Sequence, residues 1–270
     1  MKQLVDRFNR YFRYYQAAIR YSLKGILAYR LDLVLRVVFI LVYLFTSIGF
    51  INIVFSKTNN ILGWTWGEVF FFMATVQVVW TLGYVLYFQN LRDFSWSLVR
   101  YGDLDFLLLR PINIQFQLSF SKISFTDVPS FILSCFLFVY GLDVLNINPH
   151  FWNIIFFIVG LILAEIIYYL TAFIIATFSL YSSSTGDAFE FFDRAMEFSK
   201  YPTDVLEGKF YFMFYTIIPL ALLSFLPCRF LLGKAPFWMI IIPIVVSVAL
   251  YFISRLLFQQ GLRHYSSASS

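Results

Sequence analysis

Six apolar runs, each near the length that crosses a bilayer, divide this sequence and leave it few folds to choose from. A helix needs about 20 consecutive apolar residues to cross a hydrocarbon core of ~30 Å, because its backbone polar groups must be bonded within the segment. The runs fall at 31–53, 68–88, 118–142, 154–180, 210–232 and 237–258. Only 13% of the residues are charged, against about 25% in soluble domains, so the polar breaks are the places where water-facing chain fits. The expectation is an all-α membrane protein, a single domain over 1–270 whose bundle of six transmembrane helices occupies 31–258. The net charge of +5 fits contact with anionic lipid headgroups. No aromatic-basic pattern points to nucleic acid.

Residues 1–30 read as an amphipathic helix lying in the membrane interface. At 100° per residue, Arg10, Arg13, Arg20 and Lys24 fall within about 80° of arc, and Phe8, Phe12, Tyr15, Ile19, Leu23 and Ile26 fall opposite. So polar and basic a start is unlike a cleavable signal. Asp32 and Arg36 sit in the first turns of the first run, close enough to pair or to snorkel. Trp64 and Trp66 are expected to anchor at the interface. Lys122, Asp127 and Pro129 predict a third span that is bent or broken and enters the bilayer near Phe125.

Within 181–209, Ser182–Asp187 reads as a turn. Beyond it Asp187, Glu190, Asp193, Arg194, Glu197 and Lys200 share one helical face. Phe189, Phe191, Phe192, Met196 and Phe198 take the other, which predicts a second interfacial helix ended by Tyr201-Pro202. Pro219 and Pro227 interrupt the fifth run. The tail, 259–270, ends in a serine-rich stretch expected to be disordered.

Lys and Arg set the orientation. Seven of them lie in the first thirty residues, from Lys2 to Arg30. The first outer break has only Lys57, and 143–153 has neither Lys nor Arg. The 89–117 break carries Arg92, Arg100 and Arg110, and the tail Arg263. The positive-inside rule then places both termini and 89–117 in the cytoplasm of a multi-pass protein of the cell membrane. Arg229 and Lys234 dissent, which predicts an irregular or re-entrant stretch between the fifth and sixth runs.

Chemistry on the chain is sparse. No GxxxxGK[ST] phosphate loop, HExxH or GxSxG occurs. Cys135 and Cys228 lack CxxC spacing, and His150 and His264 stand alone near membrane edges. Glu165, near the middle of the fourth run, carries two readings: it lines a substrate path, or it bonds another helix as a packing residue. Gln77 in the second run is a second candidate for that path, or glue between helices.

The polar break at 89–117 holds Arg100-Tyr-Gly-Asp-Leu-Asp-Phe-Leu-Leu-Leu-Arg-Pro111. Gly102 permits a sharp bend and Pro111 stops a helix. Asp103 is the expected N-cap of about two turns over Leu104–Leu109. A stiff cytoplasmic helix with leucines invites docking. The stretch from Ser97 to Phe116 resembles the six-span branch of the ABC-2-type permeases, whose signature reads G-(E/D)-L-D-x-L-L-L-(R/K)-P-(V/I)-N. Lys200-Tyr201-Pro202 is similar to that family's R-Y-P element, with Lys in place of Arg. Ile218-Pro219, then Pro227 with Leu231-Leu-Gly233, match I-P … P-x-x-x-L-L-G, and Gly261-Leu-Arg-His-Tyr265 resembles G-L-R-x-Y.

The resemblance implies the membrane subunit of an ATP-binding-cassette exporter. Two permease subunits, identical or related, would sit on separate cytoplasmic ATPase subunits. The segment after the second span would be the coupling helix, with Gly102, Asp103, Leu104, Asp105, Leu107, Leu108, Arg110 and Pro111 at the contact. No cofactor is expected on this chain, since ATP and Mg would bind the ATPase. The alternatives are an ion-coupled carrier, which wants intramembrane acids in series, and a membrane-embedded enzyme or scaffold, which wants a second acid or His at the depth of Glu165.

Overall fold

The computed structural model describes residues 2–28, 30–58, 60–61, 63–182, 186–200 and 219–265. Among them the chain is helical: α1 (Lys2–Ala28) and α2 (Arg30–Phe55) precede α3 (Trp66–Leu98), and the short α4 (Leu104–Leu108) and α5 (Ile114–Phe120) follow it. Then come α6 (Val128–Leu145), α7 (Phe151–Leu180), α8 (Gly186–Met196), α9 (Phe225–Leu231) and α10 (Phe237–His264). Five of these, α2, α3, α6, α7 and α10, are long and apolar enough to cross a membrane. Of the expected fifth span, 210–232, the part from Pro219 onward is described and includes α9, while 210–218 lie outside the described residues. So do the Tyr201-Pro202 stop, part of the Ser182–Asp187 turn and the 266–270 tail.

Burial makes α3 the centre. Its capping box is complete: Thr65 Oγ1 accepts from the Glu68 N–H at 3.4 Å, and Glu68 Oε2 accepts from the Thr65 N–H at 2.9 Å. Phe71, Phe72, Phe88 and Phe94 on α3 are fully buried. Helix α6 packs along α3, while α9 and α10 pack along α7. Phe71, Phe138 and Phe157 join α3, α6 and α7, with the last two rings stacked at 5.9 Å. Helix α2 lies at the periphery with most of its apolar surface exposed.

The two ends of the bundle differ. The distal end gathers Thr65, the left-handed Asn146 that closes α6, and Lys234. Lys234 Nζ bonds Glu68 Oε2 and the Gly63 carbonyl, both at 2.7 Å, and lies over the Trp64 ring. One of the two dissenting charges is thus paired with an acid; the Arg229 guanidinium bonds the Lys234 carbonyl at 3.0 Å. The proximal end carries 99–127 and the end of α10. There Gly261 lets α10 press on the last turn of α7, where a Cβ would lie 3.0 Å from Leu180 Cβ.

Several expectations change. Helix α3 runs on to Leu98, so the first third of 89–117 is helix and not loop. The third span, expected at 118–142 with a bend or break near Pro129, is indeed broken, but the break lies ahead of that proline, between α5 and α6. Pro129 occupies the first turn of α6, where its missing N–H costs nothing. Trp64 is buried between Phe72 and Phe225 and is no interface anchor. Helix α8 is no second interfacial helix, because Phe189, Phe192 and Met196 are buried in the bundle while Phe191 and Phe198 face out. The sixth span continues beyond 258 to His264.

Gly261→Val should force this helix contact apart, at a cost of about 1–3 kcal/mol. A lower melting temperature of the purified chain in detergent is the expected outcome.

Candidate functional site

The proximal end is built on the polar residues that finish α3. Two π-helical turns, Tyr84–Phe88 and Phe94–Leu98, flank the α-helical turn Gln89–Asp93. Such turns concentrate at functional sites. The polar side chains here reach two neighbours, the chain between α5 and α6 and helix α8. Asn90 Nδ2 donates to the Ser119 and Lys122 carbonyls at 3.0 and 2.8 Å, and its Oδ1 accepts from Ser121 Oγ and the Lys122 N–H. Asp93 pairs with Lys122 at 3.0 Å. Tyr84 donates to Asp193, and Arg92 pairs with Glu190. These bonds draw α8 along α3, with Glu190 and Asp193 turned to it while Asp187 and Arg194 stay exposed.

The Gly102–Pro111 segment hangs from this frame. Gly102 has φ +77°, the left-handed region that a β-carbon disfavours, and it turns the chain into α4. Helix α4 is one turn, Leu104–Leu108, shorter than the two turns expected. Asp103 makes no side-chain cap bond. Leu104 is 0% exposed and plugs the bundle, and Leu107 packs partly against it. The outward surface consists of Tyr101 (72% exposed), Phe106 (66%), Leu108 and Leu109 (83%), with Asp103, Arg110 and Pro111 at its edges. Tyr101, Phe106 and Leu109 were not among the expected contacts. Their signal in the sequence is the alternation of phase within Leu104–Leu109, which a two-turn helix would have blurred.

Helix α1 clasps the far side of the segment. Arg10 Nη1 donates to the Pro111 carbonyl at 3.2 Å, and the Tyr11 hydroxyl accepts from the Asn113 N–H at 3.1 Å. Ser22 Oγ accepts from the Ile123 N–H at 3.0 Å. Tyr11 and Tyr14 pack on Phe116. Burial pushes the Tyr14 phenol up, and the Arg110 guanidinium opposes that shift. The seam Tyr11, Tyr14, Ala18, Ser22 is thus a third face, beside the basic and apolar stripes. Tyr265, just past α10, closes the site: burial first, and the Asp105 carboxylate second, push its phenol up. Gln117 is wholly buried and its Nε2 bonds the Leu107 and Ile112 carbonyls at 3.2 and 2.9 Å.

Glu165 and Gln77 are not brought together. Glu165 Oε1 accepts from the Tyr87 hydroxyl at 2.8 Å, a bond between α7 and α3. Gln77 lines a cavity of about 380 Å³ between α2, α3 and α6, with Tyr43, Glu197 and Lys200. A second cavity of about 310 Å³ continues it toward Asp127, which pairs with Arg36 at 2.6 Å. Sequence reasoning missed this polar groove, since it assigned Glu197 and Lys200 to the interface. Among the described residues no three His, Cys, Asp or Glu side chains stand where they could hold a metal ion.

Glu165→Gln should keep the Tyr87 bond and melt within a few degrees of the parent. Glu165→Leu strands a buried hydroxyl, and should cost about 1–3 kcal/mol in thermal unfolding.

A family model described as ABC-2 family transporter protein matches residues 41–269, from the middle of α2 to the tail. Comparison with curated proteins gives no match, and comparison with solved structures gives none. The matched stretch takes in α3, the Gly102–Pro111 segment, α8 and Tyr265. The chain belongs to the ABC-2 family of transporter proteins and is a multi-pass membrane component of a transporter.

Proposed function

We propose that the chain is the membrane-spanning subunit of an ABC exporter in the cell membrane, driven by ATP hydrolysed on separate cytoplasmic ATPase subunits. The proximal end is then cytoplasmic, with both termini, and a second permease subunit, identical or related, completes the transporter. ATP and Mg belong to the ATPase in this reading, and this chain does no covalent chemistry.

The observation that carries the reading is the apolar tip of Tyr101, Phe106, Leu108 and Leu109, which projects from a frame that holds it rigid. Exposed apolar side chains on a braced, one-turn helix cost solvation unless a partner covers them. Asp103 and Arg110 at the rim supply polar contacts that orient the partner. Leu104 and Gln117 behind the tip connect it to α3 through packing and through Asn90. A push on the tip therefore reaches the spans.

Capture of the tagged chain from membranes should bring down a cytoplasmic ATPase. Phe106→Asp with Leu109→Asp should weaken that association at least tenfold and abolish transport-linked ATP hydrolysis, while the chain still melts like the parent. Leu104→Asp should instead destabilise the chain itself. An intact complex with the double variant would overturn the docking assignment.

A further inference from the structure

We propose that the cavity between α2, α3 and α6 is a binding site for an amphiphilic organic cation, and that the Lys200 ammonium is its tethered internal occupant. The inference rests on the reading of the chain as a transport subunit and names the substrate class that subunit would take.

Lys200 does not behave as a solvated surface lysine. Its side chain is 14% exposed and it is ion-paired with Glu197. Its Nζ lies 4.5 Å from the Trp80 ring centroid and 4.8 Å from that of Tyr43. Two aromatic faces and one carboxylate around a nitrogen are the chemistry that recognises alkylammonium groups, because the ring faces are negative and a soft cation is cheaply desolvated there. Trp80 is fourteen residues past Trp66, about 21 Å along α3 at 1.5 Å per residue. The cage therefore sits inside the apolar span and not at its mouth.

The space beside the cage suits the rest of such a molecule. The cavity of about 380 Å³ is lined by Leu44, Ile51, Phe70, Met73 and Leu137, with Gln77 as a polar contact near the cage. That size lies in the range of small-molecule sites, about 300–1,000 Å³. The neighbouring charges are already satisfied: Asp127 is paired with Arg36, and Asp193 accepts from Tyr84. Glu197 is left as the counter-ion of whatever sits between the rings. An incoming ammonium can replace the Lys200 ammonium without changing the number of charges in the groove. An anion would have to meet the negative ring faces and the Glu197 carboxylate. The lysine stem is flexible, so it can swing aside when the cage is taken.

Lys200 then acts as a competitor held at high local concentration, and the apparent affinity of the site is its intrinsic affinity reduced by the fraction of time the cage is free. The test is equilibrium dialysis of benzyltrimethylammonium against the full chain in lipid nanodiscs, corrected with empty nanodiscs. Lys200→Gln should tighten binding at least tenfold. Lys200→Arg, with a guanidinium that grips carboxylate and rings more firmly, should weaken it below the parent. In the Lys200→Gln background, Trp80→Leu or Glu197→Gln should lose at least tenfold, and Trp80→Phe should keep most of the affinity. The uncharged isostere neopentylbenzene and the anion phenylmethanesulfonate should bind Lys200→Gln at least tenfold more weakly than the cation. Melting curves establish that each variant is folded. Unchanged or weaker cation binding in Lys200→Gln, or preference for the anion, overturns the proposal. ATPase capture is read separately: its failure would leave this binding intact, and absent binding would leave capture intact.

Discussion

Water is absent from the bilayer interior, so Tyr84 and Tyr87 on α3 find their partners in protein, and the half-exposed Arg92 and Asp93 that follow are bonded to protein as well. That constraint arranges the proximal half of the molecule. Tyr87 reaches α7 through Glu165, Tyr84 and Arg92 hold α8, and Asn90 and Asp93 hold the chain leading into α6. One helix thereby ties α7, α8 and the chain leading into α6 by side chains spaced over less than three turns. The π turns on either side of Gln89–Asp93 widen the helix where these partners crowd it.

The same residues make the Gly102–Pro111 segment an extension of the bundle. Leu104 is seated in the core, Gln117 caps the α4 and loop carbonyls, and Asn90 locks the Ser119–Lys122 stretch to α3. Helix α1 adds bonds from outside at Pro111, Asn113 and Ile123. Because the frame is bonded on both faces, displacement of the tip moves α3 and α1 together. A loop held by its ends alone would absorb such a displacement.

Much of this was legible in the residues. Long apolar runs fixed α2, α3, α6, α7 and α10, because hydrocarbon thickness sets helix length. Gly102 and Pro111 marked the bounds of the short helix α4 and its flanks, and the signature across them resembled the family that the chain belongs to. Helix α8 was misread for a physical reason. A helix with one acidic and one phenylalanine face has the same periodicity whether it floats at an interface or packs against Tyr84 and Arg92. Which leucine of Leu104–Leu109 faced inward depended on the helix being one turn long, and Asp103 carries no sign that its side chain leaves the cap empty. The aromatic cage around Lys200 draws on residues 43, 80 and 200, a juxtaposition that only tertiary structure creates.

The Lys234–Glu68 pair at the distal end has a consequence in time. Its partners are 166 residues apart in the chain. At a synthesis rate of ~5–20 residues per second, Lys234 follows Glu68 by roughly 8 to 33 seconds. During that interval Glu68 has its capping bond to the Thr65 N–H but no cation, and Trp64 lacks the Phe225 ring and the ammonium that later cover it. The Glu68 corner of the distal face therefore stays open until α6 and α7 have been made, and the acid waits for a lysine that follows both of them in the chain.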